Sequence, residues 1–317
     1  MTSLPLTLDQ LHRDLLWIAN SPVMLNLNYL PAGYWLTSPL HQYAQFAVDQ
    51  YDLKKVTDCL ASRKSHLLGI YYETLWHYLL AAKLNCKLQT TNLQVKSNQG
   101  TLGEFDLIYQ ASSSEQPFHR ELAVKYYLGL PCDSSEAHSP WSYWVGPGLK
   151  DRLDLKVNKL INKQGRLSQS IEGQALLQQH QLFPVTAEIL LQGYLFYPFA
   201  AHCPAPQHAC IDHLTGYWLT TSQLAEFIEH NQLTDEFVLL AKHEWLSAFS
   251  NTTSAIQHRL FSSAALNHYA TQHFTTSAYP YPLLIASGSS NHQFWQETLR
   301  FFLVPDDWLE KAKKTIP

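Results

Sequence analysis

Across residues 101–128, apolar and polar positions alternate in two short runs separated by a Ser-rich connection. Period-two alternation predicts two β-strands whose successive side chains point to opposite faces. In the first run Glu104, Asp106 and Ile108 share one face and Phe105, Leu107 and Tyr109 the other. In the second, Glu121, Ala123 and Lys125 oppose Leu122, Val124 and Tyr126. Residues 111–117 carry the Ser, Gln and Pro of a hairpin connection. Pairing these strands gathers acids and one lysine on a single sheet face. Carboxylates half-buried there need a compensating partner, and a divalent cation is the obvious one.

Helical spacing marks the flanking segments. Leu8, Leu11, Leu15 and Ile18 predict a helix over 7–19, with Thr7 and Gln10 resembling a capping box. A loop rich in Pro, Asn and Tyr follows to about residue 40, then a weakly patterned helix over 40–60. Leu68, Tyr71, Tyr72, Leu75, Leu79 and Leu80 form the stripe of a helix over 64–84. Two readings stand for Glu73, which has Gly69 and His77 as helical neighbours: a solvated surface acid, or a carboxylate aimed into a cleft where helix crosses sheet. Residues 86–96 read as a strand entering the hairpin. Beyond Leu128 comes a loop with Trp141 and Trp144, which flank the expected cleft and could stack on bases. Gly146-Pro147-Gly148 then opens a helix over 149–165. Further on, the pattern predicts a buried strand over 187–197, a helix from Thr220 or Thr221 to about 230, and a helix over 234–249. A strand over 281–286 and a helix over 291–303 complete the reading.

The 149–165 helix changes the picture of charge. The chain is −4 overall, yet residues 149–166 hold six basic and two acidic groups. Arg152, Lys156, Lys159 and Lys163 lie beside the apolar stripe of Leu149, Leu153, Val157, Leu160 and Ile161. Such a stripe is either a solvated face or, beside an acidic site, a track for a phosphate backbone. Composition, 46% hydrophobic and 15% charged, belongs to an ordered globular chain. Five scattered cysteines, an odd number, suggest reduced thiols in the cytoplasm. The first residues lack the basic and apolar regions of a signal peptide. The uncharged stretches 189–211 and 260–296 contain Pro, Gln, His or Asn, which argues against a membrane span. There is no P-loop, G-x-G-x-x-G or G-x-S-x-G elbow.

The order helix, three strands, helix over 64–165, with a further strand near 190, resembles the PD-(D/E)XK nuclease superfamily. The phrases LGIYYE, TLGEFD, ELAVKYYLG and GPGLKDRLDLK resemble an uncharacterised bacterial domain-of-unknown-function family assigned to it. The resemblance covers roughly residues 66–200. It implies an α/β fold with a mixed central sheet flanked by helices and a restriction-endonuclease-like core over 61–230. An N-terminal helical arm (1–60) and a C-terminal α/β extension (231–317) complete the domain layout. The implied activity is Mg²⁺- or Mn²⁺-dependent phosphodiester hydrolysis in DNA or RNA. Asp106, Glu121 and the helical Glu73 would bind metal, and Lys125 would position or polarise water. Glu104 would be an auxiliary acid, with Gln164 and Lys156 as contacts from the next helix.

Two departures stand out. The usual pattern has its acid two residues before the lysine, a position held here by Ala123. Glu121 precedes Lys125 by four, roughly 13 Å along a strand. Phe105 also stands where proline is usual. Either the acid has migrated along the face, or the site has lost a ligand and only binds nucleic acid or protein. A separate zinc reading exists for His202, Cys203, His208, Cys210 and His213, although their spacing lacks a second close pair, which favours scattered polar residues in a Pro-rich loop.

Overall fold

The computed structural model describes residues 7–27, 36, 53–61, 67–82, 86–112, 114–133, 135–278, 280–291 and 293–317. Its first helices are α1 (Leu8–Asn20), α2 (Leu53–Ala61) and α3 (Leu68–Ala82). Three strands follow: β1 (Lys87–Ser97), β2 (Gly100–Gln110) and β3 (Phe118–Gly129). Next come β4 (Trp144–Val145), α4 (Leu153–Lys159), α5 (Ile171–Gln179), β5 (Thr186–Pro198), β6 (Leu214–Thr220) and α6 (Leu224–His230). The remainder is β7 (Phe237–Leu239), β8 (Ser250–Thr252), α7 (Thr253–Ile256), β9 (Leu260–Phe261), α8 (Ser263–Thr276), β10 (Leu283–Ser290), β11 (Phe294–Val304) and α9 (Trp308–Lys313). The fold is α/β with a large mixed sheet flanked by helices. No described helix is long and apolar enough to cross a membrane.

The chain forms two compact units that do not follow sequence order. The first holds residues 1–125, 155–193 and 208–213; the second holds 126–154, 194–207 and 214–317. In the first, strand order is β1-β2-β3-β5, and the β1–β2 and β2–β3 pairs are antiparallel. Its hairpin rests on Val95, Phe105, Ile108, Leu167, Leu177 and Leu182. In the second, the order is β5-β6-β11-β10-β7-β9, parallel at β5–β6 and β6–β11.

Local signals explain several starts and stops. Thr7 caps α1 by accepting the Gln10 N–H at 3.1 Å. The Gln10 amide does not close the box; it turns inward to Asp14 at 3.0 Å. The strand read over 187–197 is β5, buried along nearly its whole length and ended at Pro198. Thr220 and Gln223 form a capping box ahead of α6.

Elsewhere the structure differs from the sequence reading. The helix expected over 149–165 starts only at Leu153, because Gly146 N–H bonds the Asp151 carbonyl at 2.7 Å and closes a turn. Arg152 therefore precedes the helix instead of sitting on its stripe. Residues 234–249 hold only a single 3₁₀ turn, Lys242–Glu244: Phe237–Leu239 pairs with β9 and β10, and Glu244 turns back to accept the Ala241 N–H at 2.9 Å. Residues 291–303 give β11, since the apolar run ending in Phe301, Phe302 and Leu303 is interior strand, not one helix face. Periodicity alone does not separate these cases in short apolar runs. Helices α5 and α8 and strand β6 were not anticipated. Of the helix expected over 40–60, α2 covers the end; residues 37–52, with most of the preceding loop, lie outside the described residues.

Candidate functional site

The β2–β3 ladder pairs Leu107 with Arg120, Ile108 with His119 and Tyr109 with Phe118. Extending this register by one position sets Asp106 against Glu121. Instead of continuing the backbone ladder there, Asp106 Oδ2 accepts the Leu122 N–H at 2.8 Å. A side chain thus satisfies a donor that a strand partner would otherwise take. The Glu121 side chain is fully buried, and its charge raises the Asp106 carboxyl.

Two neighbours fix the Glu121 carboxyl group. His119 Nε2 lies 2.7 Å from Oε1, and Gln164 Nε2–H donates to Oε2 at 2.6 Å. The Gln164 Oε1 in turn accepts from the Lys156 ammonium at 3.3 Å. Helix α4 passes into a π turn over Leu160–Gln164, closed by Gly165 N–H on the Leu160 carbonyl at 2.8 Å. At about 100° per residue, eight ordinary helical steps leave Gln164 roughly 80° from Lys156. The extra residue of the π turn takes back about one step and returns both to one face. Gly165 permits the tight turn, because a Cβ there would lie 2.9 Å from Ile189 Cδ1 and 3.0 Å from the Leu160 oxygen.

Burial dominates the electrostatics. It pushes the Asp106 carboxyl up to about 7, helped by the Glu121 charge, while the Leu122 N–H, His119 and Lys156 pull the other way. Burial likewise pushes Glu121 up to about 7, opposed most by Lys156. Lys156 is pushed down to about 8 by burial and by the Lys125 charge. His119, wholly buried, is held down to about 4. The cluster is one fully buried carboxyl, one half-buried carboxyl and one half-buried ammonium, with a buried imidazole behind Glu121.

The family model described as Domain of unknown function (DUF1853) matches residues 13–304. The chain belongs to this family. No curated protein and no solved structure matches it. Within the DUF1853 match lie Asp106, His119, Glu121, Lys156 and Gln164 alike.

The DUF1853 chain brings together only part of the set expected from its sequence. Asp106, Glu121, Gln164 and Lys156 converge. Glu73, half-buried on α3, is near enough for its charge to raise Glu121 further. Lys125 is half-buried and acts on Lys156; the ammonium that most lowers both carboxyls is Lys156. Glu104 instead accepts from Asn92 Nδ2 on β1 at 2.9 Å. Arg152 forks onto Asp154 at 2.6 and 2.8 Å and donates to the Thr315 carbonyl, all in the second unit. Lys159 and Lys163 are exposed on the helix that carries Lys156. Trp144, expected to be available for stacking, is fully buried and donates to Ser139 Oγ at 2.7 Å. Trp141 Nε1 donates to the Gln207 carbonyl. In the 198–213 loop Cys210 turns to Asp212, while Cys203 falls in the other unit. Among the described residues no three or more His, Cys, Asp and Glu side chains are arranged to hold a metal ion.

His119 escaped the sequence reading. The signal was present: 119, 121, 123 and 125 share strand parity, so a histidine two before the acid belongs to the same face.

Proposed function

We propose that this DUF1853 chain hydrolyses phosphodiester bonds of DNA or RNA with a divalent metal ion, on a PD-(D/E)XK-like core formed by the first unit. One observation carries the reading: Asp106 and Glu121, set opposite one another on neighbouring strands and both pushed up to about 7, share the Lys156 ammonium as a positive neighbour. Groups so reluctant to ionise are restored by a cation, and an oxygen donor set favours Mg²⁺ or Mn²⁺. Asp106 and Glu121 would hold the ion, which when bound supplies charge neutralisation at the scissile phosphate. Glu73 is the nearest additional acid on α3.

The chain's own groups supply the rest. Lys156, held by Gln164, offers a cation to negative charge that develops on phosphate oxygens. The Leu122 N–H and Gln164 keep one oxygen of each acid fixed, so the pair is arranged before substrate arrives. Exposed Lys159 and Lys163 offer contacts to flanking phosphates. This assignment gives Lys156 the part expected of Lys125.

A second reading, a nuclease-like module that binds nucleic acid without cutting it, is favoured by the lack, among the described residues, of a third ligand arranged with the two carboxyls. Melting the protein over a Mg²⁺ and Mn²⁺ titration, alongside cleavage of labelled single- and double-stranded DNA and RNA, separates the two. Hydrolysis predicts a rise in Tm with metal and cutting that Asp106→Asn abolishes. No shift at millimolar metal, with nucleic-acid binding retained, establishes the binding module.

A further inference from the structure

The strand face that carries Glu121 also carries His119, two residues earlier. Its ring is fully buried, stacked edge-on against Phe105 with centroids 4.5 Å apart. Nε2 faces Glu121 Oε1 at 2.7 Å. Nδ1 is buried with no hydrogen-bond partner among the described residues.

That asymmetry fixes the proton. A neutral imidazole carries one N–H, and placing it on Nδ1 would bury a donor with no acceptor. Placed on Nε2, it points at a carboxylate. The ring is fully buried, a setting that favours the uncharged imidazole.

We propose that His119 is a positioning residue for Glu121: its Nε2–H holds one carboxyl oxygen while Gln164 holds the other, fixing the plane in which Glu121 is presented beside Asp106. The inference rests on the metal reading above. It concerns a residue that would touch neither ion nor substrate. A carboxylate clamped on both oxygens by neutral donors keeps its negative charge, yet cannot rotate away from the position its strand gives it. Orientation of ligands by such outer contacts is commonly worth about tenfold to a hundredfold in metal affinity.

The test uses the full chain, Mn²⁺ as probe, and two variants. His119→Phe keeps the ring packing against Phe105 and removes the N–H; His119→Gln keeps a donor. The expected result is an Mn²⁺ dissociation constant raised about tenfold or more in His119→Phe. In His119→Gln most of that loss is recovered, with metal-free Tm alike in both variants. An unchanged constant in His119→Phe overturns the proposal, as does equal loss in both variants. ¹⁵N NMR of imidazole-labelled protein gives a metal-free readout. The Nε2–H tautomer, perturbed on Glu121→Gln, supports the link; an Nδ1–H tautomer overturns it. Failure of the parent chain to bind Mn²⁺ sinks the metal reading instead, and the NMR signature then decides alone whether His119 holds Glu121.

Discussion

The Lys156 ammonium donates to Gln164 Oε1 at 3.3 Å although eight residues separate them along one helical segment. The π turn makes the pairing geometrically natural. It also ties the cation to the acids, because Gln164 donates its N–H to Glu121 with the other end of the same amide.

Lys156 and Lys125 therefore predict different outcomes. Lys156→Met should lower kcat for nucleic-acid cleavage by about a hundredfold or more, the usual loss when one donor to developing charge is removed. Lys125→Met, which removes a charge that lowers Lys156, should cost less than about tenfold. Steady-state rates on one substrate decide it, and the reverse order returns the role to Lys125.

Metal-free protein should lose stability as pH rises. Asp106 and Glu121 hold protons up to about 7 when folded but release them near 4 when unfolded, so the folded chain binds more protons between these values. Each group contributes a slope of at most about 1.4 kcal/mol per pH unit. His119 works in the opposite sense: held down to about 4, it contributes stability present above about 6.5 and lost as pH falls. Two carboxyls outweigh one imidazole, so Tm should be lower at pH 8 than at pH 5. The double variant Asp106→Asn/Glu121→Gln should flatten that decline, and so should millimolar Mg²⁺. Thermal melts across pH read all three.

Gly193→Ala should destabilise the first unit by at least about 2 kcal/mol. Gly193 sits at φ +133°, a region closed to most L-residues, and an added Cβ would lie 1.7 Å from the Lys125 carbonyl oxygen. Urea unfolding of the variant should show a lower midpoint with an unchanged slope.

Behind the site, Arg120 Nε donates to Glu188 Oε2 at 3.0 Å, and its guanidinium lies 5.2 Å from the Trp76 ring centroid. Tyr109 donates to the same carboxylate oxygen at 2.9 Å. Glu188→Ala leaves this buried cation without its counter-charge and should cost about 3–5 kcal/mol. Equilibrium unfolding measures it, and a loss below 1 kcal/mol would mean that water reaches the guanidinium.

Much of the first unit was legible because its signals are local. Thr7 caps α1, strict alternation marks β2 and β3, and the shared face of Asp106 and Glu121 follows from strand parity alone. That Lys156 and Gln164 meet beside Glu121 was not legible, since it depends on a π turn that shifts helical phase by one residue, and no composition rule announces such a turn. Nor was β11: Phe294, Trp295, Leu299 and Phe302 mimic helical spacing, and only pairing with β6 on one edge and β10 on the other shows an interior strand. Trp144 looked like a surface platform because Pro and Gly surround it; packing against Tyr197 places it inside.

Ala123 stands two residues before Lys125, where the nuclease pattern has its acid, and the ammonium that acts on both carboxyls, Lys156, belongs to α4. Acids and base thus travel on separate scaffolds. A slip in the register of β3 would carry off Glu121 and leave the amine behind, whereas a change in the pitch of α4 would move the amine and spare the acids. Evolution can retune the strength of one without rebuilding the other.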